Sequence, residues 1–128
     1  MKNKKKTGLM FPKTPLKKRR KKHKESVLHK KDGTCYLCRR LHNDYRRHRV
    51  LHKHHVYIGP NRAISEAEGF TVYLCPVHHE FSEEAVHGNI EHLRLIQCDC
   101  QREYEKIHTR QQFMELIGRN YLEDEDEQ

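Results

Sequence analysis

The chain has 128 residues, 26 Lys and Arg, 18 Asp and Glu, and a formal net charge of +8. This length limits it to one small domain. No apolar run approaches the about 20 residues needed to span a bilayer, and the amino terminus lacks the apolar segment of a secretion signal. These features argue against a membrane or secreted protein and predict a soluble, cytoplasmic one.

The positive charge is concentrated in residues 1–34, which contain fourteen Lys and Arg but only two acidic residues. The rest of the chain is net acidic by four. Such a basic segment cannot bury enough apolar surface to fold, so residues 1–31 are predicted to be a disordered tail. The tail suits a polyanion such as DNA, because its cations neutralise phosphates and release counterions. A solubilising arm or a localisation signal is the alternative. The densest candidates for phosphate contact are Lys17, Lys18, Arg19, Arg20, Lys21 and Lys22.

The folded domain is predicted at 32–122, and it opens with a turn at 32–40 that carries two cysteines. Residues 48–59 alternate with period two, and residues 70–75 are β-branched and aromatic, so both are predicted strands. Residues 59–69 between them are predicted to form a loop, with a helical turn near its end. The alternation places two sets of side chains on opposite faces of the first strand: Val50, His52, His54 and Val56 on one, and Leu51, Lys53, His55 and Tyr57 on the other.

After the second strand, residues 77–88 are predicted to form a short helix or loop that ends at Gly88. The last third is predicted to be helical, and Thr109 opens its final helix with a capping box to Gln112. The acidic segment 123–128 is predicted to be a solvated tail. This pattern gives an α+β fold with a helical carboxy-terminal brace. One face of the predicted brace is an apolar stripe at three- and four-residue steps: Ile90, Leu93, Ile96, Cys100, Tyr104 and Ile107.

Two short ligand pairs predict a structural zinc site. Cys35 and Cys38 are separated by two residues, and Cys75 and His78 repeat that spacing after 36 intervening residues. Four ligands in two such pairs match a closed, four-coordinate zinc site. A small domain also gains much of its stability from such a metal. Cys98 and Cys100 are interpreted as a flanking thiol and a core thiol.

The histidines of the first strand suggest a second site. His54 or His52 could share another metal ion with His79, if the strand lies beside the segment after the second strand. His55 points to the opposite face, and a histidine pKa near neutrality suits a general base that takes a proton from water.

The residues "CYLC…LHKHHVYIGPNRAISEAEGFTVYLCPVHHEF…AVHGN…GRNYL" resemble the HNH endonucleases, the ββα-metal or His-Me finger superfamily. More narrowly, they are similar to small HNH-type proteins encoded in phages and prophages of Gram-positive bacteria. The resemblance spans about residues 33–122, and the "GLMFPK" segment of the tail also looks like that group. It implies a ββα-metal finger held together by the structural zinc.

By position, the resemblance assigns His55 as the general base and His54 as a metal ligand. His79 matches the metal ligand that follows the second strand, and His87 is a further candidate ligand. Asn61 corresponds to the asparagine that orients the base. Arg62 is a candidate phosphate clamp, because its planar fork matches phosphate oxygens.

The implied activity is hydrolysis of a DNA phosphodiester with one divalent catalytic ion: Mg²⁺, Mn²⁺, Ni²⁺ or Zn²⁺. An all-histidine ligand set favours the ions that prefer imidazole. A protein with one such site would act as a homodimer on DNA to cut both strands, in the cytoplasm of a bacterial host cell.

Two alternatives stay open. A zinc-stapled DNA-binding or recombination accessory module would use the zinc site and the basic tail without cleavage. It gives no reason for His54, His55 and His79 together. A zinc protein that does not bind nucleic acid would leave the basic tail unexplained.

Overall fold

The computed structural model describes residues 24–122. Within them the protein is a small α+β domain, as predicted, with a two-stranded antiparallel sheet and surrounding helices. No helix of this range is long and apolar enough to cross a membrane. The predicted phosphate contacts at 17–22 and the acidic tail 123–128 lie outside the described residues.

In chain order the elements are α1 (Tyr36–His42), β1 (His52–His55), a 3-10 turn (Gly59–Asn61), α2 (Arg62–Glu68), β2 (Thr71–Leu74), a π-helical turn (Val77–Phe81), α3 (Ile90–Tyr104) and α4 (Arg110–Ile117).

The sheet consists of β1 and β2, with His52 opposite Leu74 and His55 opposite Thr71. β2 lies within its predicted range, whereas β1 covers only part of the predicted range 48–59. The first strand is short because its one neighbour in the described part of the chain is itself four residues long, and strands extend only as far as their pairing.

Side-chain alternation holds inside β1 and breaks directly after it. His54 is buried and Lys53 is exposed, as period-two spacing predicts. The sequence places Val56 and Tyr57 on opposite faces, yet both are fully buried. The Val56 N–H still donates to the Phe70 carbonyl at 2.9 Å, and the next residue is covered by α3, where the Tyr57 hydroxyl donates to the Gln97 carbonyl at 2.7 Å.

The segment 32–40, predicted as a turn, contains most of helix α1. Cys35 is its N-cap, and the sulfur accepts a hydrogen bond from the Cys38 N–H at 3.5 Å. The spacing of two cysteines fits a turn or a helix start equally well. Leu37 is fully buried in the core, and this anchor favours the helix.

Helix α2 replaces the predicted loop at 59–69, where only a helical turn was expected. Its sequence "RAISEAE" is rich in Ala and Glu, which are strong helix formers. Gly69 ends the helix with a φ of 78°, a backbone conformation that favours glycine. A side chain here would also collide with the Glu25 carbonyl, so the position suits glycine for two reasons.

The two carboxy-terminal helices confirm the prediction of a helical brace. Thr109 and Gln112 form the predicted capping box, and Gly118 ends α4 with a φ of 91°. The predicted stripe is too long at both ends: Ile90, the first residue of α3, is 59% exposed, and Ile107 is 82% exposed. Ile107 lies beyond the end of α3 at Tyr104, so helical spacing no longer directs it to the core.

Aromatic rings join the brace to the sheet. The Tyr57 ring lies 5.5 Å from Phe70 and 5.4 Å from Phe113 of α4, measured between centroids, and both pairs are tilted or edge-on. Such pairs contribute about 0.5–1.5 kcal/mol each beyond the burial of their area. The end of β1 is therefore fixed against α4, which positions the histidines of the strand.

The domain begins earlier than residue 32, because residues 26–29 pack along β2. Ser26 donates to the Thr71 carbonyl, and the Val27 N–H donates to the Gly69 carbonyl at 2.9 Å. His29 is almost fully buried and its Nδ1 accepts from the Tyr73 N–H at 3.1 Å. The end of the predicted tail thus covers the outer edge of β2, which protects an otherwise unpaired strand edge.

We expect His29 to make the domain sensitive to acid. Burial lowers its pKa from 6.5 to about 4, with a further contribution from Arg39. Because the folded-state pKa is the lower one, this stabilisation is complete above pH 6.5 and is lost as the pH falls towards 4. The loss amounts to roughly 3 kcal/mol of unfolding free energy.

Urea unfolding at a series of pH values measures this effect. His29→Asn is the matched variant, because its amide oxygen can still accept from the Tyr73 N–H but does not titrate. The difference in unfolding free energy between the two proteins should be constant above pH 7 and shrink between pH 6.5 and 4. Parallel curves across this range would contradict the assignment.

Candidate metal centres and the pocket beside them

Four buried ligand-type side chains converge from separate parts of the chain: Cys35, Cys38, Cys75 and His78. α1 supplies the first pair, because its N-cap and its third residue lie one turn apart. Cys75 follows β2, and the π-helical turn folds back over it, so that the His78 and His79 N–H groups both donate to its carbonyl. The structure therefore brings together all four residues that the sequence predicted for one metal site.

The distances within this cluster fit one tetrahedral ion. Nδ1 of His78 lies between 3.3 and 3.6 Å from all three sulfurs, and the sulfurs of Cys38 and Cys75 are 3.9 Å apart. Zinc bonds of about 2.3 Å to sulfur and about 2.0 Å to nitrogen imply tetrahedral edges of roughly 3.5 and 3.8 Å. With four nearly inaccessible protein ligands, the cluster is a closed site that can hold a metal such as zinc.

The surroundings of the cluster favour a bound cation. Burial raises the pKa of the Cys35 and Cys38 thiols, so metal binding displaces protons from sulfur. The His78 Nε2 lies 3.0 Å from a Glu84 carboxylate oxygen. A carboxylate accepts, so Nε2 carries the proton and Nδ1 presents its lone pair to the sulfurs, an arrangement common around metal-bound histidines.

A second group consists of His54, His79 and His87, each with one ring nitrogen within 4.8 Å of the others. β1 carries His54, the π-helical turn carries His79, and the turn after it carries His87. The two Nε2 atoms of His79 and His87 are 2.9 Å apart. The structure thus joins the three residues predicted as ligands of the second metal ion.

The second group contains a buried ring nitrogen that no protein group in the described part of the chain satisfies. Nε2 of His54 is buried and has no hydrogen-bond partner among residues 24–122, which is costly for a polar atom. Burial, together with the nearby His79 and His87, lowers the pKa of His54 to about 3, and burial also lowers that of His79. Both rings are therefore neutral near pH 7, the form that binds metals. The residues fit a metal ion.

The two groups differ in their access to solvent. His54 is 4% exposed, His79 is half-buried and His87 is exposed, so the three-histidine group opens to one side. Three protein ligands with an open position are typical of catalytic zinc sites, whereas four closed ligands are typical of structural ones. His52 lies outside the group, and its Nδ1 is 2.9 Å from the Nδ1 of His79, where it fixes that ring.

His55 points away from the three-histidine group, as strand alternation predicts, and meets a carboxylate. Its Nε2 is 2.7 Å from an oxygen of Glu66, and the Nε of Arg62 donates to its Nδ1 at 3.5 Å. Since a carboxylate accepts and a guanidinium donates, these contacts place a proton on Nε2 and leave Nδ1 as an acceptor. The second oxygen of Glu66 accepts from Lys53 at 2.8 Å.

One pocket of about 310 Å³ connects these features. It is lined by the three-histidine group and also by Lys53, His55, Ile58 and Arg62. A ligand in it could therefore contact a metal ion, the His55 ring and two cations at the same time.

Asn61 does not line that pocket. Its side-chain amide donates to the Ile117 carbonyl at 3.0 Å, so it connects the 3-10 turn to the end of α4.

The sequence did not predict Glu66 as the partner of His55, because Glu66 lies on α2, in a segment that is predicted to be mainly a loop. The run of helix formers in "RAISEAE" was the available signal, since a helix starting at Arg62 places Arg62 and Glu66 four residues apart on one face.

Comparison with known proteins found no matching family model, no matching curated protein and no matching solved structure. The resemblance to HNH endonucleases is therefore carried by the sequence motifs alone, and it stays a prediction. The arrangement of the two metal centres does not depend on it.

We expect Cys75→Ser to remove about one equivalent of metal and to lower the unfolding free energy by more than about 4 kcal/mol, as for other lost metal sites. Cys98→Ser is the matched control, because Cys98 lies outside the cluster and a serine can still donate to the Tyr121 carbonyl. Elemental analysis after dialysis and thermal melting measure both effects. Equal metal content in the two variants would contradict the assignment.

Proposed function

We propose that this protein is a metal-dependent, HNH-type endonuclease that hydrolyses DNA phosphodiester bonds. The proposal depends on the pocket of about 310 Å³, which we call the shared pocket. It is lined by the open three-histidine group and by the carboxylate-paired His55, and His54 and His55 point to opposite faces of β1. A ligand site for a catalytic ion and a separate general base are the two parts that metal-assisted hydrolysis requires. A purely DNA-binding module gives no reason for this separation.

The order of the elements supports the finer assignment to a ββα-metal finger. His55 and His54 lie on β1, β2 follows, and His79 lies on the helical turn directly after β2. This is the order that the resemblance implies for base, first ligand and second ligand. The zinc assigned to Cys35, Cys38, Cys75 and His78 has a structural role in this proposal, because no position is left there for a substrate.

In the proposed reaction Arg62 exchanges its weak contact with Nδ1 of His55 for the phosphate. His55 then takes a proton from a water molecule through Nδ1, since its Nε2 proton is held by Glu66. The water oxygen attacks phosphorus, the bond to the 3′-oxygen breaks, and the leaving oxygen takes a proton from solvent. His54, His79 and His87 would hold the ion, which would supply Lewis-acid stabilisation of the phosphate charge. Arg62 and Lys53 at the pocket wall attract the phosphate.

We further propose that the protein binds DNA through its basic tail, acts as a homodimer and is located in the cytoplasm. The basic run Lys17–Lys22 adds sequence-independent affinity for DNA, which falls as salt rises. A homodimer would place one site on each strand. The resemblance implies that the protein is encoded by a phage or prophage and is present in the cytoplasm of the bacterial host.

Nicking of supercoiled plasmid tests the proposal. Wild-type protein should nick with Mn²⁺, Ni²⁺ or Zn²⁺ and more weakly with Mg²⁺, because imidazole ligands favour the former ions. His55→Ala should lower the rate by about 100-fold or more, since a general base contributes about 10²–10⁴-fold. His55→Ala should bind the ion and the plasmid as tightly as the wild-type protein does. No nicking with any of the metals, or equal nicking by His55→Ala, would contradict the proposal.

Glu66→Ala should lower kcat by about 10- to 100-fold, the usual effect of removing a group that orients a functional histidine. The KM should change little, because Glu66 does not line the shared pocket. Lys53→Ala is the paired comparison, since it removes the other partner of the carboxylate and leaves the His55 contact in place. It should raise KM and leave kcat largely intact. Identical kcat values for Glu66→Ala and wild type would show that the contact does not position the base.

A further inference from the structure

A second, smaller hollow adjoins the shared pocket. Its volume is about 260 Å³, and it has His54, Ile58 and His87 in common with that pocket. The rest of its wall is mainly apolar and includes Val86, Ile90 and Leu93. A group bound here would therefore be in contact with two of the proposed metal ligands and with apolar side chains.

Two of the apolar wall residues are unusually open to solvent. Ile58 is 49% exposed and Ile90 is 59% exposed, whereas Leu93 and Ile96, the next residues of the α3 stripe, are buried. A single exposed isoleucine is ordinary on a protein surface. Two that line one hollow, beside three histidine rings and two phosphate-attracting cations, suggest a binding surface.

We propose that this hollow takes the base of an unpaired nucleotide next to the phosphate that is cut. This inference rests on the proposed endonuclease function and names its preferred substrate. When the phosphate lies in the shared pocket, the nucleoside attached to it is the group close enough to reach the neighbouring hollow. A base has two apolar faces, and apolar side chains and imidazole rings are the surfaces on which displaced bases pack.

The size and shape of the hollow favour one unstacked base over a duplex. Drug-sized ligands occupy pockets of about 300–1,000 Å³, so about 260 Å³ suits a single ring system. In a duplex both faces of each base are covered by stacking, and only an unpaired nucleotide can offer a face without the cost of opening the helix. A concave apolar wall accepts such a group, whereas separation of base pairs uses a protruding side chain.

The hollow should be tolerant of base identity. Its amide-bearing wall residue, Asn89, is used in capping α3: Oδ1 accepts from the His92 N–H at 3.1 Å, and Nδ2 donates to the Glu83 carbonyl at 3.0 Å. Contact with the face of a base through apolar atoms carries little sequence information. The structure thus points to a preference for unpaired DNA rather than for a particular sequence.

Gly88 offers a way to fill the hollow without disturbing the fold. It lines the wall, and a Cβ built on it meets no atom within 4 Å. Gly88→Leu would therefore occupy the space of the base. Ile90→Ala would remove one wall at a position already exposed at the start of α3. Ile107→Ala is the control, because Ile107 is also exposed but is not part of the hollow.

The test compares nicking of one DNA duplex with nicking of the same duplex carrying a single bulged thymidine, with Mn²⁺. Wild-type protein and Ile107→Ala should cut beside the bulge about fivefold or more faster than the paired site, the lower end of the range for stacking contacts. An abasic residue in the bulge should abolish the advantage. In Ile90→Ala and Gly88→Leu the ratio of the two rates should fall to about one.

A wild-type ratio of one, or an unchanged ratio in both Ile90→Ala and Gly88→Leu, would overturn the inference. Binding provides a readout that does not depend on cleavage. Fluorescence anisotropy with His55→Ala should show about fivefold tighter binding of the bulged thymidine than of the abasic bulge, and equal binding would overturn the inference. If nothing is cut and the binding preference persists, the endonuclease proposal fails while the base-binding hollow stands.

Discussion

The fold depends on the convergence of three cysteines and one histidine on a single buried point. α1, the end of β2 and the π-helical turn each contribute at least one ligand to this point. Without a cation, Cys35, Cys38, Cys75 and His78 would be polar groups packed together in a small core, with the thiols protonated by burial. With one cation, the same groups become a cross-link between distant segments. In a domain of this size such a cross-link adds substantially to the stability that the hydrophobic core supplies.

The position of the three-histidine group depends on the closed cluster. His78 and His79 are consecutive residues of one π-helical turn, so the fixation of His78 in the closed cluster also fixes the direction of His79. The sheet register then sets His54 opposite Val72, with its unpartnered Nε2 buried. The next residue, His55, faces the other way towards Glu66 of α2. Strand alternation thus directs the proposed metal ligand and the proposed base, which are adjacent residues, to opposite faces of a short sheet.

Local patterns predicted most of this arrangement. The spacing of cysteines and histidine indicated the closed cluster, and period two indicated the opposed directions of His54 and His55. The capping box of α4 followed from two residues. Features that depend on distant contacts could not be predicted: the helical state of α1 is favoured by burial of Leu37, and the packing of His29 on β2 joins residues more than forty positions apart. The partner of His55 was missed for the same reason, since Glu66 could be placed only once α2 was recognised as a helix.

The central claim is that one small domain carries two different metal centres, one closed and one open to a pocket. Crystallography with anomalous scattering at the zinc absorption edge, on protein supplied with zinc, tests this claim most directly. We expect two peaks: one surrounded by Cys35, Cys38, Cys75 and His78, and a second in contact with Nε2 of His54. A single peak at the closed cluster, with His54 Nε2 bonded to a protein group or to water, would contradict the account.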